Sequence, residues 1–384
     1  MRPDQDVLTI RAAVDRSCRW FADGPALVHG GRVLSRARAA TSIRAIAAGY
    51  QALGLGKGDC IAFLCAASLE HTLAWYAAHQ IGAVTVNLHL REPAAVQAAL
   101  VERLQIRVLV HDRHHPKIVA ELSCRFPALR IVDAADGAWL GAESDTSLEA
   151  CSAVAVTPMA ADDHPPRQLP AGSITLAALA HTPAEPVLPG LHEDDPAIIQ
   201  LSSGSTGSPK ALVHCHRSVL ESWSGGIYMW SGMSPEDRFL NGFAPSFVVW
   251  LVHAGSFFVN GAGVWLQTGW DPEAFLRVVQ EDGITCAALT PTQWRSVLAA
   301  GPERFDLRSL RMAAYLGEKL EPERLRELMQ RVCPEFSSFY GMSECLGLGG
   351  CVARGSEIVA RQKWGSVGRP NLNTDLRIAG IGMG

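Results

Sequence analysis

The chain is poor in charge, and neither sign dominates. Asp, Glu, Lys and Arg make up 19% of its 384 residues, the formal net charge is -4, and hydrophobic residues make up 48%. A near-neutral, apolar-rich chain of this length buries a large core and belongs among soluble globular proteins rather than disordered ones. The charge balance gives no reason to expect a nucleic-acid or anionic-membrane partner. Its 10 cysteines are scattered with no Cys-x-x-Cys pair, so they read as reduced, mostly buried thiols of a cytoplasmic protein. The N-terminus, Met1 to Asp6, has no apolar run of signal-peptide type. The charge-free stretch from Phe243 to Val259 contains Pro245 and His253 and reads as core rather than a membrane span. No internal repeat stands out. The Walker phosphate pattern is also missing, because no Ser or Thr follows the one lysine that closes a glycine-rich loop.

That loop is the most informative stretch. Residues 201–211 read Leu-Ser-Ser-Gly-Ser-Thr-Gly-Ser-Pro-Lys-Ala, entered from the strand-like run Ala197-Ile198-Ile199. Gly204 and Gly207 permit positive φ, so successive backbone N–H groups can converge on an anion. Ser203, Ser205 and Thr206 add hydroxyl donors, and Lys210 adds a point charge. This is the chemistry of a phosphate grip. A flexible surface turn has the same composition.

Around the loop, strand-length apolar runs alternate with helical periodicity. Ala26 to Val28, Gly30-Gly31 and Val33-Leu34 form a hairpin pattern. Ser35 is placed to cap a helix carrying Ile43, Ile46 and Tyr50 and ending at Gly54. Strands are expected at 60–64, 83–88, 108–110, 130–132, 264–266, 285–289 and 310–315, with helices between them. Such alternation means parallel sheet with right-handed crossovers. Proline crowds residues 134–195, which read as a linker or long surface excursion. His111, Asp112, His114 and His115 follow a strand and read as solvated loop residues rather than a closed metal site.

The loop at 201–211 resembles the signature of the adenylate-forming superfamily: acyl-CoA synthetases, nonribosomal adenylation domains and firefly-type luciferases. The match runs on through Val213-His214-Cys215-His216, with Ala211 in place of a common glycine. Tyr340-Gly341-Met342-Ser343-Glu344 resembles the Tyr-Gly-x-Thr-Glu block of the same family, Gly317-Glu318 a Gly-Glu pair, and Gly365 to Pro370 the block that follows. The resemblance implies two packed, mostly parallel β-sheets flanked by helices in αβαβα layers, with the start of a small β-barrel. The expected division is an α/β subdomain with its linker at 1–190, a second at 191–344, and the barrel start at 345–384, with Leu376-Arg377-Ile378 as an early strand.

It also implies ATP-dependent activation of a small, medium-chain or aryl carboxylic acid, followed by transfer to CoA or a carrier-protein phosphopantetheine. Lys210, Thr206 and Glu344 would act in catalysis. Ser203, Gly204, Ser205, Thr206, Gly207 and Lys210 would hold the phosphates. Gly317, Glu318, Tyr340, Gly341 and Ser343 would hold the rest of the nucleotide, and Glu344 would bind Mg²⁺. Tyr340 offers a flat face to a purine, and Glu344 is a hard oxygen ligand; Glu318 also reads as a solvated charge at a helix start. Phe247, Val248 and Trp250 are candidates for an apolar acyl slot, with plain core as the other reading; Val248 stands where many members carry a histidine. Residues 1–384 contain no match to the family's ribose-binding Asp, hinge or C-terminal lysine, and Lys319 and Lys363 stand in no matching motif. The expectation is therefore a chain slow in adenylation and impaired in thioester formation by itself. An acyl carrier protein and a second copy of the chain are the expected macromolecular partners. A partner-dependent fragment and a non-catalytic nucleotide- or acyl-binding protein are the competing readings, and the intact motifs argue against the latter.

Overall fold

A computed structural model describes residues 8–135, 138–140, 170–202, 209–347, 351–364, 366–371 and 374–377. Strand runs such as β3 (Cys60–Leu64) are apolar on both faces. Ile61 and Phe63 pack to one side, while Cys60, Ala62 and Leu64 pack to the other. A strand buried on both faces must be covered by helices on both faces, and three apolar clusters supply the three helical layers.

The strands in chain order are β1 (Pro25–His29), β2 (Arg32–Ser35), β3, β4 (Val84–Asn87), β5 (Ile106–His111), β6 (Arg130–Asp133), β7 (Ile174–Thr175), β8 (Pro196–Ser202) and β9 (Lys210–Cys215). They continue with β10 (Arg238–Asn241), β11 (Gly263–Leu266), β12 (Cys286–Leu289), β13 (Met312–Leu316), β14 (Phe336–Tyr340), β15 (Cys351–Arg354) and β16 (Arg369–Pro370). One sheet has seven strands in the order β7-β6-β5-β3-β4-β8-β9; the other has nine, β16-β15-β14-β13-β12-β10-β11-β1-β2. Pairing is parallel except at β8–β9, β1–β2, β14–β15 and β15–β16.

The helices Ile10–Trp20, Arg36–Ala52, Leu69–Gln80, His216–Met229 and Val248–Val259 lie between the sheets in the largest cluster. Helices Pro272–Glu281, Pro291–Ala299 and Pro322–Arg331 cover the far face of the nine-stranded sheet, and Ala94–Arg103 and Pro116–Arg125 that of the seven-stranded sheet. The expected αβαβα layering is present. Helix starts follow capping chemistry: Arg38 N–H donates to Ser35 Oγ and His71 N–H to Ser68 Oγ, and Thr290 and Gln293 form a capping box.

The two halves of the chain do not each build one sheet. The hairpin β1–β2 forms where expected but joins the sheet of the second half, through Leu27 opposite Val264. Conversely β8 and β9 join the sheet of the first half, through Thr85 opposite Ile198. The division expected at residue 190 therefore does not separate the sheets, because apolar faces and open strand edges decide partners, not chain order. Arg36 fastens the hairpin from within. Fully buried, it donates to the carbonyls of Pro25, Ala262 and Phe258, and burial lowers its pKa to about 10.

Further departures are local. The helix Ile10–Trp20, capped by Thr9, was not anticipated, although Ile10, Val14 and Cys18 keep helical spacing. The proline-rich stretch contains β7 and the helix Leu176–Ala180, with Leu176 and Leu179 buried; 141–169 lie outside the described residues. β15 and β16 extend the nine-stranded sheet, so no barrel strand occurs at 345–377 among the described residues, and Ile378 falls outside them. His111 is buried rather than solvated. Asp112 accepts backbone N–H bonds from Ala66 and His114, and among the described residues no group of His, Cys, Asp and Glu is arranged to hold a metal alone. Every described cysteine is a free thiol, and burial raises Cys18, Cys60 and Cys333 to about 12. No described helix is long and apolar enough to cross a membrane.

The central layer encloses neutral histidines. His71 Nε2–H donates to Asn87 Oδ1, and His253 Nδ1 accepts from the Trp230 indole. Burial lowers His29 and His71 to about 4 and His253 to about 3. The unfolded chain therefore takes up protons below pH 6.5 that the folded chain refuses, and stability falls with pH until the folded values are reached. Each of these histidines should contribute a slope of up to about 1.4 kcal/mol per pH unit. Denaturant unfolding between pH 7 and pH 5 should show a falling midpoint; a flat profile over that range contradicts the assignment.

Candidate functional site

Parallel strands deliver their carboxyl ends to one edge of a sheet, and loops there are free to carry chemistry. Leu316 of β13 pairs with Phe339 of β14, so Gly317 and Tyr340 emerge there side by side. Gly317 takes φ +86, in the left-handed region, with open space where a Cβ would project. Tyr340 is 45% exposed, which leaves much of its ring uncovered. Glu318 is exposed beside it.

After Tyr340 the chain folds back on itself. Gly347 N–H donates to the Met342 carbonyl at 2.7 Å. A Cβ on Gly341 would sit 1.6 Å from the Gly347 carbonyl oxygen, so only glycine permits this approach. Ser343–Cys345 form a short 3-10 turn that presents the Glu344 carboxylate to solvent. The turn is held from two sides. Ser222 Oγ donates to the Leu346 carbonyl at 3.0 Å, and His214 Nε2 donates to the Ser343 carbonyl at 3.1 Å. Burial holds His214 below the ordinary imidazole value, opposed by the Ser343 carbonyl and by the Glu344 carboxylate nearby.

His214 belongs to β9, and so to the other sheet. β8 and β9 are the two arms of a hairpin whose last described pair is Ser202 and Lys210. Lys210 is exposed at the start of β9. It stands four residues from His214, roughly 13 Å along a strand. The hairpin tip, with Ser203, Gly204, Ser205, Thr206 and Gly207, lies outside the described residues. Gln200, on β8, donates to the Ser246 carbonyl at 3.0 Å and so ties the same hairpin to the approach of helix Val248–Val259.

The three acyl candidates separate. Phe247 caps that helix, is 52% exposed and meets His89 edge-on at 5.2 Å between ring centroids. Val248 faces Gly347. Trp250 is 1% exposed, wedged edge-on against His71 at 5.0 Å and Trp75 at 6.0 Å. Trp250 is thus part of the central core, while Phe247 sits at the surface. The sequence had assigned no role to His214, Gln200, Ser222 or His89. Only His214 carried a signal, as part of the run 213–216 that extends the loop motif.

The model of the AMP-binding enzyme family matches residues 14–384. A feruloyl-CoA synthase of an Amycolatopsis species is 27% identical over 374 residues, which cover 95% of this chain and 65% of that protein. 4-Coumarate–CoA ligase 2 of Oryza sativa subsp. japonica is 28% identical over 386 residues, covering 93% of this chain and 61% of the ligase. The chain thus spans less than two thirds of the length of these curated relatives. The solved anthranilate CoA ligase AuaEII, in complex with anthranoyl-AMP, superposes with a TM-score of 0.79 at 18% identity, covering 95% of this chain and 64% of that one. That likeness establishes the fold. The family match, over nearly the whole chain, establishes more: this chain belongs to the AMP-binding enzyme family.

Proposed function

We propose that the chain activates an aryl or related carboxylic acid with ATP and passes the acyl group to a thiol. In the first step a carboxylate oxygen forms a bond to the α-phosphorus, and the bond to pyrophosphate breaks. In the second, the thiol sulfur displaces AMP from the acyl carbon. The relatives named for feruloyl- and coumaroyl-CoA chemistry support the acid class. The observation that carries the reading is the bond from His214 to the Ser343 carbonyl. It fastens the phosphate-loop hairpin of one sheet to the Tyr340–Glu344 segment of the other.

Two anions must meet in the first step, so the protein's task is alignment and charge neutralisation. Lys210 stands at the mouth of the hairpin, ready to neutralise phosphate charge. Tyr340 offers its exposed face to adenine, with Gly317 and Glu318 beside it. In this reading Lys210 and Tyr340 contact opposite ends of one nucleotide. The exposed carboxylate of Glu344 fits Mg²⁺ of the kind shared with substrate phosphates rather than caged by protein. Mg²⁺, when bound, would draw negative charge from those phosphates.

Calorimetry should show MgATP binding that Lys210→Ala weakens about tenfold, the scale of one charge-assisted hydrogen bond, and pyrophosphate exchange that depends on added aryl acid. Equal MgATP affinity in wild type and Lys210→Ala would sink the assignment. Tyr340→Ala should weaken AMP and ATP by about 1 kcal/mol, the worth of a stacked ring, and leave free pyrophosphate unaffected. A parallel loss for both ligands would show Tyr340 to be structural.

A further inference from the structure

The β16 edge of the nine-stranded sheet, among the described residues, carries a cationic cavity outside the proposed nucleotide contacts. β15, the helix Gly355–Arg361 and the start of β16 enclose about 90 Å³. That is room for several waters, and so for a phosphate group. Arg354, Arg361, Lys363 and Arg369 line it, against the single carboxylate of Glu357. Glu357 is shared: Arg369 Nη2 lies 3.0 Å and Arg361 Nε 3.4 Å from the same oxygen. Arg354 donates to the neutral Ser231 hydroxyl. Lys363 has no ionic partner among the described residues.

Four cations against one carboxylate leave a local excess of positive charge in a chain whose net charge is -4. Holding like charges around one cavity costs energy unless an anion joins them. Planar guanidinium groups suit the tetrahedral oxygens of a phosphate. Ser366 adds a hydroxyl at the rim; its oxygen accepts from Gly368 N–H, which leaves the O–H free to donate. The location also bears on function. β14 and β15 run antiparallel, with Tyr340 opposite Cys351 and Ser337 opposite Arg354. Arg354 therefore lies three residues, roughly 10 Å, along the sheet from the Tyr340 end.

We propose that this cavity binds a phosphate ester carried by the thiol acceptor. The proposal rests on the reading that the acyl group passes to such a thiol. Two sources share the chemistry of an anionic phosphate ester: the 3′-phosphate monoester at the nucleotide end of CoA and the 4′-phosphodiester through which phosphopantetheine joins a carrier protein.

The test is equilibrium binding to the 384-residue chain at fixed ionic strength. The probes are adenosine 3′,5′-bisphosphate, 4′-phosphopantetheine and, as a control, inorganic sulfate. At least one phosphate ester should bind more tightly than sulfate. Lys363→Glu, which changes an exposed side chain with no ionic partner among the described residues, and the double variant Arg361→Ala/Lys363→Ala should each weaken that ester about tenfold. MgATP binding should be unchanged in both, which also shows that they are folded. The ester that loses affinity identifies the source. No preference for either ester over sulfate, or unchanged affinity in both variants, overturns the proposal. Failure of MgATP binding in the wild type would instead remove the functional reading and leave the cavity to be judged on its own esters.

Discussion

One hydrogen bond between sheets positions much of what the candidate site requires. His214 stands on the edge strand of the seven-stranded sheet, and Ser343 hangs from the carboxyl end of the nine-stranded one. Neither sheet alone presents both the β8–β9 hairpin and the Tyr340–Glu344 turn. The geometry therefore depends on how rigidly the helical layer between the sheets sets their spacing. That layer is densely aromatic: Trp230 packs on Phe239, Phe257 and Phe339, and Phe239 and Phe257 stack at 4.3 Å. Close-packed interiors of this kind resist sliding, so the helices act as a fixed spacer under the site.

The same layer accepts polar groups that cost stability. The buried histidines stay neutral, and the buried Arg36 spends its donors on backbone carbonyls rather than on a carboxylate. Each is satisfied at least in part by a partner fixed in another element, and this specifies how the elements meet. Arg36 is the clearest case, since its carbonyl partners come both from β1 and from the turn before β11. It thereby registers the N-terminal hairpin on a sheet otherwise built by the second half of the chain.

Local order was legible in the sequence wherever periodicity and caps coincide. Ser35, Ser68 and Asp271 mark helix starts, and the apolar runs at 60–64 and 264–266 are strands where they were expected. The αβαβα layering was legible only through resemblance, because runs buried on both faces name no partner. Strand exchange between the halves was not legible at all. Nothing in Leu27 or Val28 announces pairing with Val264 and Trp265 rather than with β3. At the candidate site, motifs singled out Gly317, Tyr340 and Gly341, and the close approach of Gly341 to Gly347 gives a physical reason for that glycine. Trp250 was ambiguous because an aromatic at helical spacing suits a core and a pocket alike; its contacts with His71 and Trp75 put it in the core layer.

The central claim is that one nucleotide engages both sheets at once. Hydrogen exchange with and without MgATP measures this directly, peptide by peptide. Protection should rise together in peptides covering 196–215 and 336–347, which belong to different sheets and are joined by the His214–Ser343 bond. Protection confined to one of these segments, with the other exchanging as in the free protein, would contradict a site shared between the sheets.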